Sequence, residues 1–359
     1  MNYSKRLDAY KKIIEKNKDF QAVLVTDSSN IRYLCGFSGS CGYLLVTRKE
    51  AYFFTDFRYQ EQSAREIGNA AKIEVFNNNS IETICKRVKS CKVKTLGVEK
   101  SMTLDLFLNF KEAFSGEIRP VNDHIRVLRQ KKDADELKSL KKAFAIADKA
   151  FAELMKEMKP GLTEVEVAAK LEYFMKSGGS EAPSFSTIIA SGPNSSCPHA
   201  QPSSRKIKKG DMVKIDFGAV YNGYHSDMTR TVFMGPVSEK FKKIYSVVLK
   251  AQKDAVKAIK IGVRCNEIDK VARQVIADAG YGENFGHGLG HSLGLDVHES
   301  PSLAPKCDSK IEAGMAFTVE PGIYLPGWGG IRIEDVFLVE ENKLVKLTKT
   351  PNSLLEIKV

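Results

Sequence analysis

The second half of this chain repeats itself, and no other feature limits its fold as much. The stretch KPGLTEVEVAAKLEYFMKSGG from Lys159 aligns without a gap to KIGVRCNEIDKVARQVIADAG from Lys260. Gly161 then matches Gly262, Glu166 matches Glu267 and Gly179 matches Gly280. Each copy follows a long amphipathic pattern and reads as a second helix, and Thr163 with Glu166 has the spacing of a capping box. Further on, His199-Ala-Gln-Pro answers His298-Glu-Ser-Pro, and KIKKGDMVKIDFG from Lys206 answers KIEAGMAFTVEPG from Lys310. That match sets Asp216 on Glu320 and Gly218 on Gly322. Several matches in one order imply a duplicated unit: helix, helix, His-x-x-Pro, then a strand carrying an acid. An α+β domain with internal pseudo-twofold symmetry is expected.

The acid-bearing strand of the first copy lies in KIDFGAVYNGYHSDMTR, Lys214 to Arg230. Asn222-Gly223 is the favoured pair for a two-residue type I′ turn, whose central positions both need φ > 0. With that turn Asp216 faces Thr229 and Asp227 faces Gly218. The two aspartates then share a face as diagonal neighbours, typically about 7 Å apart at the backbone. Two carboxylates that close repel, more so when buried, and a cation between them removes the conflict. Taken alone, the pair also fits a solvated hairpin face.

The repeat predicts a second acidic hairpin, and MAFTVEPGIYLPGWGGIRIEDVFLV supplies it. Glu320 ends one strand, a Gly-rich turn follows, Glu334 lies in the next strand, and Arg332 shares its face. The longer turn leaves the pairing of Glu320 with Glu334 open. Packed face to face, the two hairpins gather four acids in one cavity, a charge that two divalent cations neutralise. His287, His291 and His298 fall in FGHGLGHSLGLDVHES, whose glycines argue against a helical zinc-binding pair. One of them can complete the site. Oxygen ligands with one imidazole suit Mn²⁺ or Co²⁺, with Zn²⁺ or Fe²⁺ as alternatives. Two such ions bring the pKa of bound water to about 7. A carboxylate such as Glu320 can then shuttle the proton to a leaving amine, and a histidine beyond the ligands can hydrogen-bond the developing oxyanion.

A chain of 359 residues is longer than a typical single domain. Residues 1–128 alternate short apolar runs (QAVLVTD, GYLLVT, AYFFTD, KIEVF, TLGVE) with helical patterns near 3–18, 58–68, 80–90 and 103–114, which reads as an α/β domain. A charged segment leads into an amphipathic helix at about 133–158, carried by Leu137, Leu140, Phe144, Ala147, Phe151, Leu154 and Met158. Residues 129–359 form the second domain. No apolar run approaches the roughly 18 residues of a membrane span, and the N-terminal stretch has no signal-peptide core. The seven cysteines are scattered and contain no C-x-x-C. Reduced thiols in a cytoplasmic protein are expected. The net charge is +11 and the sequence pI about 9.1, but the lysines accompany no nucleic-acid motif. They read as a solvated surface, so neither a nucleic acid nor a membrane is expected as partner.

IDFGAVYNGYHSDMTRT, GHGLGHSLGLDVHESP, TVEPGIY and IRIED closely resemble the pita-bread metallopeptidases, above all Xaa-Pro aminopeptidase (aminopeptidase P) and Xaa-Pro dipeptidase (prolidase). NIRYLCGFSGSCGYLLVT and TDFRY resemble the creatinase-type N-terminal domain that precedes the catalytic domain in these enzymes. The resemblance covers nearly the whole chain. It implies metal ligands Asp216, Asp227, His291, Glu320 and Glu334, with Asp227 and Glu334 bridging. It implies that His199 and His298 stabilise substrate and intermediate, with His287 and Arg332 lining the site. It also implies a manganese or cobalt enzyme, a homodimer or larger assembly, and peptide substrates with proline second. Ser292 stands where many relatives carry Gly. Of the two activities, the aminopeptidase is the reading adopted at this point, with the dipeptidase as alternative. GHSLG at Gly290–Gly294 also fits a serine-hydrolase elbow, G-x-S-x-G, but no β-branched strand precedes it and no convincing helix follows. A non-catalytic peptide-binding module is set aside because all five ligand positions are filled. Metal-free, creatinase-like amidine hydrolysis leaves those five unexplained.

Overall fold

A computed structural model describes residues 1–358, which divide by their internal contacts after Arg129. The first unit runs α1 (Tyr3–Lys16), β1 (Ala22–Val25), α2 (Ser28–Cys35), β2 (Tyr43–Thr47), β3 (Ala51–Asp56), α3 (Gln60–Ile67), β4 (Lys72–Phe76), α4 (Ser80–Ser90), β5 (Thr95–Glu99), α5 (Leu104–Ala113), β6 (Glu117–Val121) and α6 (His124–Gln130). Its mixed sheet has the order β4-β3-β2-β1-β5-β6. Ile84 and Val88 of α4 and Phe110 of α5 pack on Leu24, Leu45, Phe54 and Leu96 of the sheet. Strand β6 is not apparent in the sequence. It lies at the sheet edge, most of its residues are exposed, and Pro120 interrupts its donors.

The second unit contains α7 (Ala134–Glu157), α8 (Glu164–Ser177), β7 (Ile188–Ser191), β8 (Met212–Phe217), β9 (Val220–Tyr221), β10 (Tyr224–His225) and β11 (Met228–Met234). There follow α9 (Glu239–Ala258), α10 (Cys265–Asp278), β12 (Gly290–Ser292), β13 (Glu299–Leu303), β14 (Ala316–Val319), β15 (Gly322–Leu325), β16 (Gly329–Arg332), β17 (Asp335–Val339), β18 (Leu344–Lys346) and β19 (Leu355–Ile357). Helix α7 starts at a complete capping box, Asp133 with Glu136. Helices α7 and α8 cover the sheet β19-β11-β8-β7, and α9 and α10 cover the sheet β13-β12-β14-β17-β18.

The duplicated sequence is duplicated in space down to single hydrogen bonds. Gly161 N donates to Ile207 O at 2.9 Å and Ile207 N to Leu162 O at 2.8 Å. In the second half Gly262 N donates to Ile311 O and Ile311 N to Val263 O, both at 2.9 Å. The glycines are required, because Gly161 and Gly262 have φ of 94° and 88°. The halves meet where Glu334 N donates to Thr229 O at 3.1 Å and Thr231 Oγ1 to Arg332 O at 2.9 Å.

Both acidic hairpins are broken ladders. In the first, Asn222 and Gly223 have φ of 50° and 75°, as a type I′ turn needs, and Tyr221 pairs with Tyr224. The same register resumes beyond a gap, with Thr229 opposite Asp216. In the gap Ala219 N donates to Ser226 Oγ at 2.8 Å, and Asp227 sits in irregular backbone. In the second hairpin Gly322 pairs with Arg332 and Val319 with Asp335, again one register across a gap. Glu320 and Glu334 occupy that gap, which places Glu334 between β16 and β17 rather than within a strand. Among the described residues no cysteine is in a disulfide, and no helix is long and apolar enough to cross a membrane.

Candidate metal centre

Every candidate ligand and catalytic residue from the sequence lines one cavity of about 530 Å³ in the second unit. The first hairpin delivers Asp216 and Asp227, the second Glu320, Arg332 and Glu334, and the glycine-rich segment around β12 delivers His287 and His291. His199 and His298 are exposed at its edge. His291 lies in a strand, not a helix. Its Nδ1 faces Ser292 O at 3.1 Å, so the ring donates there and turns Nε2 to the acids, 3.4 Å from Glu320 Oε1 and 3.6 Å from Asp227 Oδ2. One ligand atom each from Asp227, His291 and Glu334 lies within 4.8 Å of the other two. The rings of His291 and His298 meet edge-on at 4.3 Å.

Electrostatics mark this place as short of positive charge. Burial, reinforced by the charges of Glu334, Asp216 and Glu320, pushes the Asp227 carboxyl well above its ordinary range. Burial with Glu320 and Asp216 does the same to Glu334. Burial alone would raise Glu320 as well, but its hydrogen bond to His291 and that residue's charge, with Arg332, bring it down to about 2. Burial opposes charge on His291, yet Glu320 holds its pKa above the ordinary value. Asp216 Oδ1 and Glu334 Oε1 are buried with no hydrogen-bond partner among the described residues. Buried carboxylate oxygens without donors are rare unless something else binds them. The guanidinium of Arg332 bonds Asp216 and lies 3.9 Å from Glu320. Among the described residues it is the one fixed cation on the cavity wall. Four carboxylates and one imidazole, two orphaned oxygens and a single guanidinium fit bound divalent cations.

The sequence reading missed the residues that orient this set. Thr229 Oγ1 donates to Glu334 Oε2 at 2.7 Å and accepts from Arg332 Nε at 3.0 Å. Register alone could have found it, since it faces Asp216. Tyr324 OH links Arg332 Nη1 to His287 Nε2, each at 2.9 Å. Burial holds the His287 pKa below its ordinary value. Glu299, next to His298, is held by the fully buried ammonium of Lys132 at 2.9 Å. Nothing local in the sequence signals these tertiary contacts. The elbow reading of GHSLG fails on position: Ser292 is wholly buried in a strand and its hydroxyl donates to Ala316 O at 2.9 Å.

A two-half domain with an acid-rich, histidine-edged cavity defines a metal-dependent hydrolase class, and the comparisons agree. The chain belongs to metallopeptidase family M24, whose profile matches residues 138–341. Residues 6–131 match the creatinase/prolidase N-terminal domain, so the whole has the creatinase plus pita-bread arrangement. The Xaa-Pro dipeptidase of Pyrococcus horikoshii is 42% identical over 349 residues, 96% of this chain and 98% of that protein. Among solved structures, a Xaa-Pro dipeptidase from Bacillus anthracis is 40% identical with a TM-score of 0.93, covering 99% of both chains. An X-Pro aminopeptidase from Thermotoga maritima is 36% identical with a TM-score of 0.89, covering 96% of this chain and all of that one.

Proposed function

We propose that the protein is a two-metal Xaa-Pro dipeptidase, in which Asp216, Asp227, His291, Glu320 and Glu334 hold the cations, Mn²⁺ being the first choice. The observation that carries the metal assignment is the pair of orphaned oxygens on Asp216 and Glu334 beside His291. The choice of dipeptidase over aminopeptidase, the reverse of the preference drawn from the sequence, rests on relatives named Xaa-Pro dipeptidase along nearly the full chain. The Thermotoga neighbour keeps the aminopeptidase as second reading.

When bound, the cations supply Lewis acidity and an acidified water at neutral pH. The protein's own groups do the rest. Glu320, on the cavity wall beside His291, accepts the proton of the attacking water and returns it to the proline nitrogen as that bond breaks. His199 and His298, at the cavity edge, hydrogen-bond the carbonyl oxygen as charge develops on it. Reading a dipeptide also needs a donor for its terminal carboxylate, and Arg332, fixed by Thr229 and Tyr324, is the cation on the wall.

The test sets a dipeptide Xaa-Pro beside a tripeptide Xaa-Pro-Xaa with Mn²⁺ added. The dipeptide should be cleaved at least about tenfold faster, since a site built to bond the carboxylate penalises its absence. Chelation should abolish both rates. Tripeptide cleavage alone would establish the aminopeptidase instead.

A further inference from the structure

Lys214 is basic, wholly buried and absent from the cavity wall, and burial brings its pKa down to about 7. It sits two residues before Asp216 on the same face of β8. Its ammonium donates to three main-chain carbonyls, Cys197 O at 2.5 Å, Pro198 O at 3.1 Å and Ser195 O at 3.3 Å. It also lies 5.2 Å from the centre of the Tyr324 ring. In its protonated form three N–H bonds meet three carbonyls, the complete donor capacity of a lysine. An apolar side chain at this place would leave those carbonyls without that donor. Pro198 O also accepts from Arg332 Nη1 at 3.3 Å, and the next residue is His199. His199 is exposed and lines the cavity.

The repeat sharpens the point. The residue matching Lys214 in the second half is Thr318. Its hydroxyl accepts from His291 N at 3.0 Å and donates to Glu320 at 3.2 Å. The two halves thus use equivalent positions to fix a histidine-bearing segment, the His291 strand in one and the His199 loop in the other.

We propose that Lys214 is a positioning residue, whose ammonium gathers the carbonyls of residues 195–198 and so aims the His199 imidazole into the cavity. The proposal rests on the peptidase reading of that cavity. Its test uses the full-length, metal-loaded protein with Lys214→Met, His199→Ala and the double variant, assayed on the preferred Xaa-Pro peptide. Lys214→Met should lower kcat by about 10- to 100-fold, as small misplacements of a catalytic group do, with metal content unchanged and KM moved much less. In the His199→Ala background the same change should cost little more, because both act through one group. Multiplying losses, or loss of metal from Lys214→Met, would overturn the proposal. If Lys214→Met does not fold, Lys214→Ala should regain activity with added methylammonium when His199 is present and not when it is absent; no rescue overturns it. Histidine-labelled NMR of the zinc-loaded protein reads the position without turnover. Lys214→Met should move the His199 signal and leave that of His124 in place, and an unmoved His199 signal sinks the idea. A wild type that cleaves no Xaa-Pro peptide defeats the functional reading, while the spectrum still decides the role of Lys214.

Discussion

Glu334 and Asp335 are neighbours in the chain, both almost wholly buried, and the fold provides for them in opposite ways. Asp335 Oδ1 accepts from Arg230 Nη2 and Thr348 Oγ1, each at 2.6 Å, and lies 2.9 Å from Lys346 Nζ. Its Oδ2 accepts from Gln252 at 3.2 Å and Asn352 at 3.1 Å. Glu334 has the Thr229 hydroxyl on one oxygen and, among the described residues, nothing on the other, with further acids around it. One peptide step separates a carboxylate whose needs are met from one whose needs are left open. A buried charge with a full set of partners holds structure together. One left short, among like charges, must hold a proton or take a cation from outside.

Substituting one member of each set should separate the two roles. Asp227→Asn should cut activity more than about 100-fold, beyond the loss from removing a ligand's supporting contact, and lower metal content with it. The metal-free variant should be no less stable than metal-free wild type, because a costly buried charge has gone. Asp335→Asn should instead lower unfolding free energy by about 3–5 kcal/mol, since Arg230 stays buried without its partner, while the folded fraction still binds metal. Elemental analysis and urea unfolding, each with and without chelator, read both variants. A destabilised metal-free Asp227→Asn, or an intact but metal-poor Asp335→Asn, would erase the contrast.

A pH series sharpens it further. In the metal-free chain Asp227 and Glu334 have pKa values above those of the unfolded chain. Between the unfolded value, about 4, and the raised folded value, the native state therefore holds more protons than the unfolded state. Stability from these groups is complete at low pH and falls as pH rises. The chelated wild type should lose more stability than chelated Asp227→Asn as pH climbs from about 4 toward neutrality. Saturating Mn²⁺ should remove that difference for the wild type. Equal slopes in the chelated pair would show that the acids are not strained by burial.

Much of this contrast was legible in the sequence, for stated reasons. The Asn222-Gly223 turn fixes the register that puts Thr229 opposite Asp216, and the repeat carries the argument to Glu320 and Glu334. Their pairing was out of reach because the turn through Pro326, Gly327 and Trp328 has no two-residue signature, although the register proves continuous across it. The complete partner set of Asp335 left no trace at all. Gln252, Thr348 and Asn352 come from a distant helix and the C-terminal segment, and nothing near Asp335 in the chain announces them. An open acid can be read from a motif, whereas a satisfied one is visible only in the fold.

The smallest test concerns what holds Asp227 in place. Gly223 has φ of 75°, so Gly223→Ala strains the turn and should cost about 1 kcal/mol in urea unfolding. If the turn alone positioned Asp227, metal content and activity per folded molecule would fall as well. The break in the ladder argues otherwise. Ser184 Oγ donates to Ser226 O at 2.8 Å and Ser184 N to Gly218 O at 2.9 Å, so the gap is pinned from outside the hairpin. A Cβ on Gly218 would lie 1.8 Å from Ser226 O, which shows how closely its two strands approach there. Gly223→Ala should therefore lose stability while keeping metal and turnover. Parallel loss of all three would mean that the turn, not the pinned gap, sets the acid.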